Sequence, residues 1–233
     1  MRTPPVALTV AATDSGGGAG VAADIATFAA LGLHGTCVVT AVTAQDTTGV
    51  HAVHPMPLDV VAAQLDAVLT DFDPAVVKTG MLATADIVEL VAERCADRTL
   101  VVDPVLRAST GEALADAAVV VAYQETLIPV ATVVTPNEDE AAALGFGAGF
   151  AGTSTSAGPT WIVTRGGGIE TRNDHGTGCT FASALAAHLA HGLGVAEAAD
   201  RAHDFVARQL TLSRDWSLGS GRGPVAHVIG EQP

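Results

Sequence analysis

The sequence predicts an α/β fold in which helices flank a mostly parallel central sheet, built as a single domain over residues 1–233. Three observations carry this. Short apolar runs alternate with amphipathic or Ala-rich stretches of helical length, the pattern of βαβ units joined by right-handed crossovers. Hydrophobic residues make up 48% of the chain but aromatics only 4%, so a sizeable core must be built from Ala, Val and Leu. Polar residues and glycines cluster just after the ends of the apolar runs, at 14–20, Gln45, Gly80 and Met81, Asp103, Asn137 and 165–168. Open α/β sheets bind ligands outside the carboxyl ends of their strands, so these positions are expected to share one face.

Taken in order, residues 6–12 read as a strand, followed by a glycine-rich turn and a helix over 19–31. A second strand is expected at 36–43. Val60, Val61, Leu65, Val68 and Leu69 recur near helical spacing and place a helix at 57–71. A strand at 75–78, a helix at 85–94, a strand at 100–103 ending in Asp-Pro and a helix at 113–127 follow. A strand at 132–135 ends in Pro-Asn, and a helix opens over 138–144. A last strand is expected at 161–164, with helices at 177–191 and 195–210. Residues 145–159 are rich in Gly, Ala, Ser and Thr without periodicity and read as a loop, so that 145–172 is expected to be flexible or shortened. Residues 217–233 read as a Gly/Pro-rich tail.

A formal net charge of −14 argues against a nucleic-acid partner or an anionic membrane surface. Cys37, Cys95 and Cys179 have no metal-like spacing and fit a reducing cytoplasm better than a disulfide scaffold. The N-terminus reads as having no signal peptide, and no apolar run is long enough to span a bilayer. The histidines show no zinc-like arrangement, and Lys78 has no evident assignment.

The most informative stretch is 173–180, Asn-Asp-His-Gly-Thr-Gly-Cys-Thr, directly before an apolar helical run. Unpaired N–H groups and the positive end of the dipole make such a helix start an anion site. A thiol at that place, Cys179, is expected to have a lowered pKa and could serve as base, nucleophile or lining. The turn at 14–20 fits neither a dinucleotide fingerprint nor a P-loop. Gln45 is either a turn residue or a donor–acceptor amide suited to a heterocycle such as an aminopyrimidine. Asn137 and Glu140, spaced N-x-x-E, are either a capping box or, with Asp103, groups near phosphates and Mg²⁺. Arg165 beside Gly166 and Gly167 is either a surface cation or a stabiliser of transferring phosphates.

These segments together resemble the hydroxymethylpyrimidine/phosphomethylpyrimidine kinases of thiamine biosynthesis. The resemblance rests on 12–20 with Ala23-Asp24, Thr40–Gln45 in order, Val77-Lys78-Thr79-Gly80-Met81, Val102-Asp103-Pro104-Val105, Thr135-Pro136-Asn137 with Glu140, and His175-Gly176-Thr177-Gly178-Cys179. It implies a ribokinase-like three-layer fold and ATP-dependent phosphorylation of 4-amino-5-hydroxymethyl-2-methylpyrimidine, then of its monophosphate. Gln45 would hold the ring's amino group and nitrogen, Met81 and Val105 would line its pocket, and Asp24 and Gly18 would sit beside it. Gly176, Thr177, Gly178 and Cys179 would form the anion hole, with Cys179 at the base position. Asn137, Arg165 and Gly167 would meet the nucleotide phosphates. Asp103 and Glu140 would hold Mg²⁺, directly or through water. A cytoplasmic homodimer is also implied. The chain departs from the family at Arg165, where Lys is usual, at Gly168, where His is common, and at 169–172, where a strand pair is usual. A pyridoxal kinase and a non-catalytic pyrimidine-binding module are the rival readings.

Overall fold

The computed structural model describes residues 3–146, 153–154, 158–164 and 169–227. In chain order the elements are β1 (Val6–Ala11), α1 (Gly20–Ala30), β2 (His34–Val39), β3 (Ala41–Asp46), β4 (Gly49–Pro55), α2 (Leu58–Asp71), β5 (Val76–Thr79), α3 (Ala85–Cys95) and β6 (Leu100–Val102). Then come α4 (Ala117–Ala122), a π-helical turn (Tyr123–Leu127), α5 (Ile128–Val130), β7 (Val133–Val134), α6 (Glu138–Ala143), β8 (Thr153–Ser154), β9 (Thr160–Ile162), α7 (Thr177–Ala190) and α8 (Val195–Ser213).

The main sheet has the order β2-β1-β5-β6-β7-β9-β8. Every pairing in it is parallel except that of β8 with β9. β1, β5, β6 and β7 are buried almost throughout because helices cover both faces. The two-residue period of each strand sorts its side chains between two cores. Leu8, Val10, Val77, Leu100 and Val102 face α2, α3 and the π-helical turn, where Leu65, Val91 and Tyr123 pack. Ala7, Val76, Val101 and Val133 face the opposite layer, where Phe28, Leu185 and Phe205 pack from α1, α7 and α8. The stretch 180–187 of α7 is buried on every side, which its run of alanines permits.

Three expectations need correcting, and one strand, β4, went unread. The run 36–43 is not one strand. β2 stays in the main sheet, whereas β3 leaves it and pairs antiparallel with β4 as a separate ribbon. The chain turns at Thr40, fully buried, whose hydroxyl donates to the Met81 carbonyl at 2.7 Å. β4 carried no strand signal because most of it is exposed and its neighbour is a single edge strand. The helix expected at 113–127 starts only at the Asp116 cap, whose carboxylate accepts from Val119 N at 3.0 Å. It then widens into the π-helical turn ahead of Pro129, whose ring lacks an N–H and clashes with a preceding carbonyl. The loop expected at 145–159 contains β8.

The tail is pinned as far as residue 227. Arg222 N donates to Thr47 O at 2.8 Å, and His175 and Pro224 form a parallel bridge. The Asn173 amide donates to the carbonyls of Ser213 and Trp216 at 2.7 and 2.9 Å, closing the end of α8.

Candidate active site

One cavity of about 780 Å³ opens at the carboxyl ends of the strands. Asp14, Gly20, Gln45, Met81, Asp103, Val105, Asn137, Glu140 and 176–179 all line it, and it extends to α8 at His203 and Leu210.

Its floor is the start of α7. Gly176 caps the helix in the left-handed region, at φ 85°. The first ladder bond is Thr180 N to Gly176 O at 2.9 Å, so the N–H groups of Gly178 and Cys179 lie ahead of the ladder. A Cβ on Gly176 would stand 1.7 Å from the Gly18 carbonyl oxygen, and one on Gly18 would stand 2.4 Å from the His175 ring. Both glycines are therefore required by the close contact of the two loops.

Behind this floor lies a buried ion cluster. Lys78 Nζ donates to both carboxylate oxygens of Asp24, at 2.9 and 3.0 Å, and both residues are fully buried. Ser183 and Thr9 each donate a hydroxyl to Asp24 at 2.6 Å. Burial works against the Lys78 ammonium, but Asp24 above all, then Cys179 and Asp103, hold it above the usual lysine range.

Asp103 Oδ2 lies 3.7 Å from Lys78 Nζ and has no hydrogen-bond partner among the described residues. Burial pushes the Asp103 carboxyl up to about 6, with Lys78 and the Cys179 thiol opposing and Asp24 adding to the rise. Burial and then Asp103 push Glu140 up to about 7. Asn137 and Glu140 do form a capping box, Glu140 N to Asn137 Oδ1 at 2.8 Å and Asn137 N to Glu140 Oε2 at 2.9 Å. The cap and the cavity wall are the same residues, so one reading does not displace the other. An orphaned carboxylate oxygen beside a second raised carboxyl is a donor set for a hard cation that keeps most of its ligands from water and phosphate. Among the described residues no three His, Cys, Asp or Glu side chains converge as a protein-only metal site.

The thiol expectation is overturned. Cys179 lines the cavity and is only half-buried, yet burial of its surroundings, Asp103 and Asp24 push the thiol up to about 12. Lys78 and the N–H of Gly20 oppose this without prevailing. The favourable helix start is outweighed by burial first, and then by two carboxylates that the sequence did not place beside it.

Two further expectations move. Asp24 is fully buried against Lys78 and Gly18 is buried against His175, and neither lines the cavity. Arg165 and Gly167 lie outside the described residues. Met81 and Val105 pack with Ala12, Ala41 and Leu114 as a small apolar wall beside Gln45.

Sequence reasoning missed a pairing at the centre of the site. The Asp14 carboxylate accepts from Gly16, Gly18 and Ala19 N, at 2.8, 3.1 and 2.9 Å, and lies 2.8 Å from His175 Nε2. Burial alone would raise Asp14, but the bonds from His175, Gly16 and Ala19 hold it below its usual range. Arg222 was missed too. It grips the Asp174 carboxylate through two nitrogens and donates to Ser109 O at 2.8 Å, tying the tail to the cavity rim. Only the proximity of His175 to the glycine motif hinted at the first, and no local signal marked the second.

The chain matches the Phosphomethylpyrimidine kinase family over residues 14–151 and 153–226. It is 39% identical to the hydroxymethylpyrimidine/phosphomethylpyrimidine kinase of Rhizobium meliloti, covering 95% of this chain and 96% of that one. That alignment runs over 257 positions, more than the 233 residues here, so the relative carries segments without a counterpart in this chain. A chloroplastic thiamine biosynthetic bifunctional enzyme of Arabidopsis thaliana is 40% identical over 99% of this chain, which spans 51% of that longer protein. Among solved structures, the pyridoxal kinase of Staphylococcus aureus in complex with pyridoxal superposes with a TM-score of 0.84 at 32% identity, covering 97% of this chain and 94% of that one. The phosphomethylpyrimidine kinase of Clostridium difficile 630 gives 0.74 at 29% identity, covering 88% and 98%. With a family match across most of the chain and near-40% relatives over its whole length, the chain belongs to the phosphomethylpyrimidine kinases.

Proposed function

We propose that this chain, read as one kinase domain, phosphorylates 4-amino-5-hydroxymethyl-2-methylpyrimidine and then its monophosphate with ATP, in the biosynthesis of thiamine diphosphate. The observation that carries this is one cavity holding both Gln45 with the Met81–Val105 wall and the open N–H groups at the start of α7. The ring lies against Met81 and Val105 with its polar edge on Gln45. The hydroxymethyl oxygen faces the γ-phosphoryl group, whose developing charge is met by the N–H groups of Gly178 and Cys179. Such transfer needs mainly orientation and charge neutralisation, which these fixed groups supply. A coupled assay of ATP turnover with and without the pyrimidine tests the reading, and equal ADP release in both arms overturns it. The likeness to a pyridoxal-bound kinase makes pyridoxal the competing acceptor to run in parallel.

Cys179 occupies the place of the base. Its thiol holds its proton in the free protein, and Lys78 is the group that favours losing it. Replacement Cys179→Ala is expected to lower kcat by about 10²-fold with an unchanged melting temperature. Near-wild-type steady-state rates sink the role.

Asp103 and Glu140 are the residues that would hold Mg²⁺, directly or through water. A cation held there would supply charge neutralisation for the nucleotide phosphates. Because both carboxyls are raised, to about 6 and about 7, protons compete with the cation in that window. The Mg²⁺ concentration giving half-maximal rate is expected to rise as pH falls from 8 to 5.5, by up to about tenfold per unit for each protonated ligand. The sign for folding is opposite. These two carboxyls bind more protons in the folded than in the unfolded chain between about pH 4 and 7, so their contribution to the stability of the cation-free protein falls as pH rises through that range. Thermal melts with and without Mg²⁺ at the two pH values check both.

A homodimer is read from the family resemblance and from the exposed Val42 and Val53 on the β3–β4 ribbon, and sedimentation tests it. A cytoplasmic location is read from Cys37, Cys95 and Cys179 standing as free thiols. Among the described residues no helix is long and apolar enough to cross a membrane.

A further inference from the structure

His175 stands where four segments meet. Its Nε2 lies 2.8 Å from Asp14 Oδ2 in the glycine-rich turn and 3.4 Å from the terminal amide nitrogen of Gln45 at the end of β3. Its Nδ1 lies 3.2 Å from Ser109 Oγ in the loop after β6, and its own chain continues into Gly176 and α7. The ring is 7% exposed, so water does not decide its bonding.

The chemistry of Asp14 fixes the tautomer. An ionised carboxylate only accepts, so the nitrogen beside it must carry a proton. A bare Nε2 would set a lone pair against that carboxylate at hydrogen-bond distance. The conclusion holds for neutral and for protonated imidazole alike, since Nε2–H is present in both. Ser109 Oγ can donate to a bare Nδ1 or accept from a protonated one, so it holds the ring plane in either state.

The tautomer in turn fixes the Gln45 amide. An Nε2–H cannot accept from an amide NH₂, and two donors 3.4 Å apart make no bond. The two ends of an amide are nearly equal in size, and hydrogen bonding decides between them. A half-turn replaces that donor–donor contact with Oε1, a second and longer acceptor beside an N–H already given to Asp14, and leaves the NH₂ for the cavity that Gln45 lines. The backbone that aims this side chain is itself held. Gln45 N donates to Ser15 Oγ at 2.8 Å, Ser15 Oγ donates to Gln45 O at 2.6 Å, and the register shifts between Ala44 and Gln45.

We propose that His175, locked by Asp14, is a positioning residue that turns the NH₂ of Gln45 into the cavity, so that the site selects a ring offering an acceptor nitrogen at that point. This rests on the reading that Gln45 meets the pyrimidine. A ring nitrogen beside the amino-bearing carbon accepts from the NH₂, while the second lone pair of Oε1 remains for the exocyclic amino group. A ring with C–H in place of that nitrogen leaves the NH₂ covered by a group that cannot accept, which is the costly case for a donor that the bound ring shields from water.

The test compares kcat/KM for 4-amino-5-hydroxymethyl-2-methylpyrimidine with that for the analogue bearing C–H in place of the ring nitrogen next to the amino-bearing carbon. Wild type is expected to favour the pyrimidine by about 10²-fold or more. His175→Phe, which keeps a ring but no nitrogen, is expected to cut that preference by about tenfold, roughly the value of one hydrogen bond, with KM for ATP unchanged. Gln45→Ala is expected to abolish the preference. If His175→Phe keeps the wild-type preference while Gln45→Ala loses it, the positioning role is overturned and the reading of Gln45 stands. If Gln45→Ala also keeps it, both fall. Since His175→Phe can disturb folding, ¹⁵N NMR of the histidine side chains in unaltered protein gives a second arm. His175 Nε2 is expected in the proton-bearing range with Asp14 as its acceptor, and a bare Nε2 overturns the proposal.

Discussion

Lys78→Met is expected to destabilise the fold by about 3–5 kcal/mol. Lys78 and Asp24 are both fully buried, and the ammonium bonds both oxygens of the carboxylate. Without it, Asp24 keeps only the hydroxyls of Ser183 and Thr9. An uncompensated charge remains between β1, α1 and α7, where no solvent reaches it. Methionine fills much the same volume, so a cavity contributes little and the loss is electrostatic. A second change in the same chain, Asp24→Asn, removes the orphaned charge and is expected to recover most of the deficit. Urea melts of the single and double variants check this, and equal midpoints for wild type and Lys78→Met would falsify it. Recovery of stability should not recover turnover, because Lys78 is also the cation nearest Asp103 and a favourable charge for the Cys179 thiolate.

Gly176→Ala is expected to lower kcat/KM by about 10²-fold or more. Two independent causes act at one position. The backbone sits at φ 85°, which costs a residue with a Cβ about 1–2 kcal/mol. The added carbon would also stand 1.7 Å from the carbonyl oxygen of Gly18, backbone against backbone, so the start of α7 must move away from the turn at 14–20. That displaces the N–H groups of Gly178 and Cys179, whose worth depends on being aimed before charge develops. Gly178→Ala is the control for folding. Its Cβ meets no atom within 4 Å, so its melting temperature should match wild type. Steady-state kinetics and melts on both variants separate damage to the helix start from loss of the fold. Wild-type kcat/KM in Gly176→Ala would refute the argument.

Much of the architecture was legible before the structure. Strands 6–12, 75–78 and 100–103 fall within a residue or so of β1, β5 and β6, because runs such as Ala7–Val10 are apolar on both faces and only a covered parallel sheet accepts them. The expectation that residues after strand ends share one face followed from the same reading, and Asp14, Gln45, Met81, Asp103 and Asn137 do line one cavity. The glycines at 176 and 178 marked the helix start. What failed were the places where a local pattern was overruled from afar. Thr40 breaks an apparently continuous strand because Met81 and Ala11 capture its polar groups. Pro129 reshapes the turn before it. Cys179 reads as an acidic thiol from its helix start alone, and burial first, then Asp103 and Asp24, reverse that.

The sequence by itself determined the layered parallel sheet, the edge at which the cavity opens, and the glycine-framed start of α7, because periodicity and turn chemistry are carried by neighbouring residues. Only the tertiary structure decided who partners whom. Asp14 meets His175 across 161 positions, and Lys78 meets Asp24 across 54. It also decided that Asp24 is a buried counter-ion rather than a pocket wall. Burial and the sign of a neighbouring charge set the state of an ionisable group, and both come from segments that composition and spacing cannot bring together.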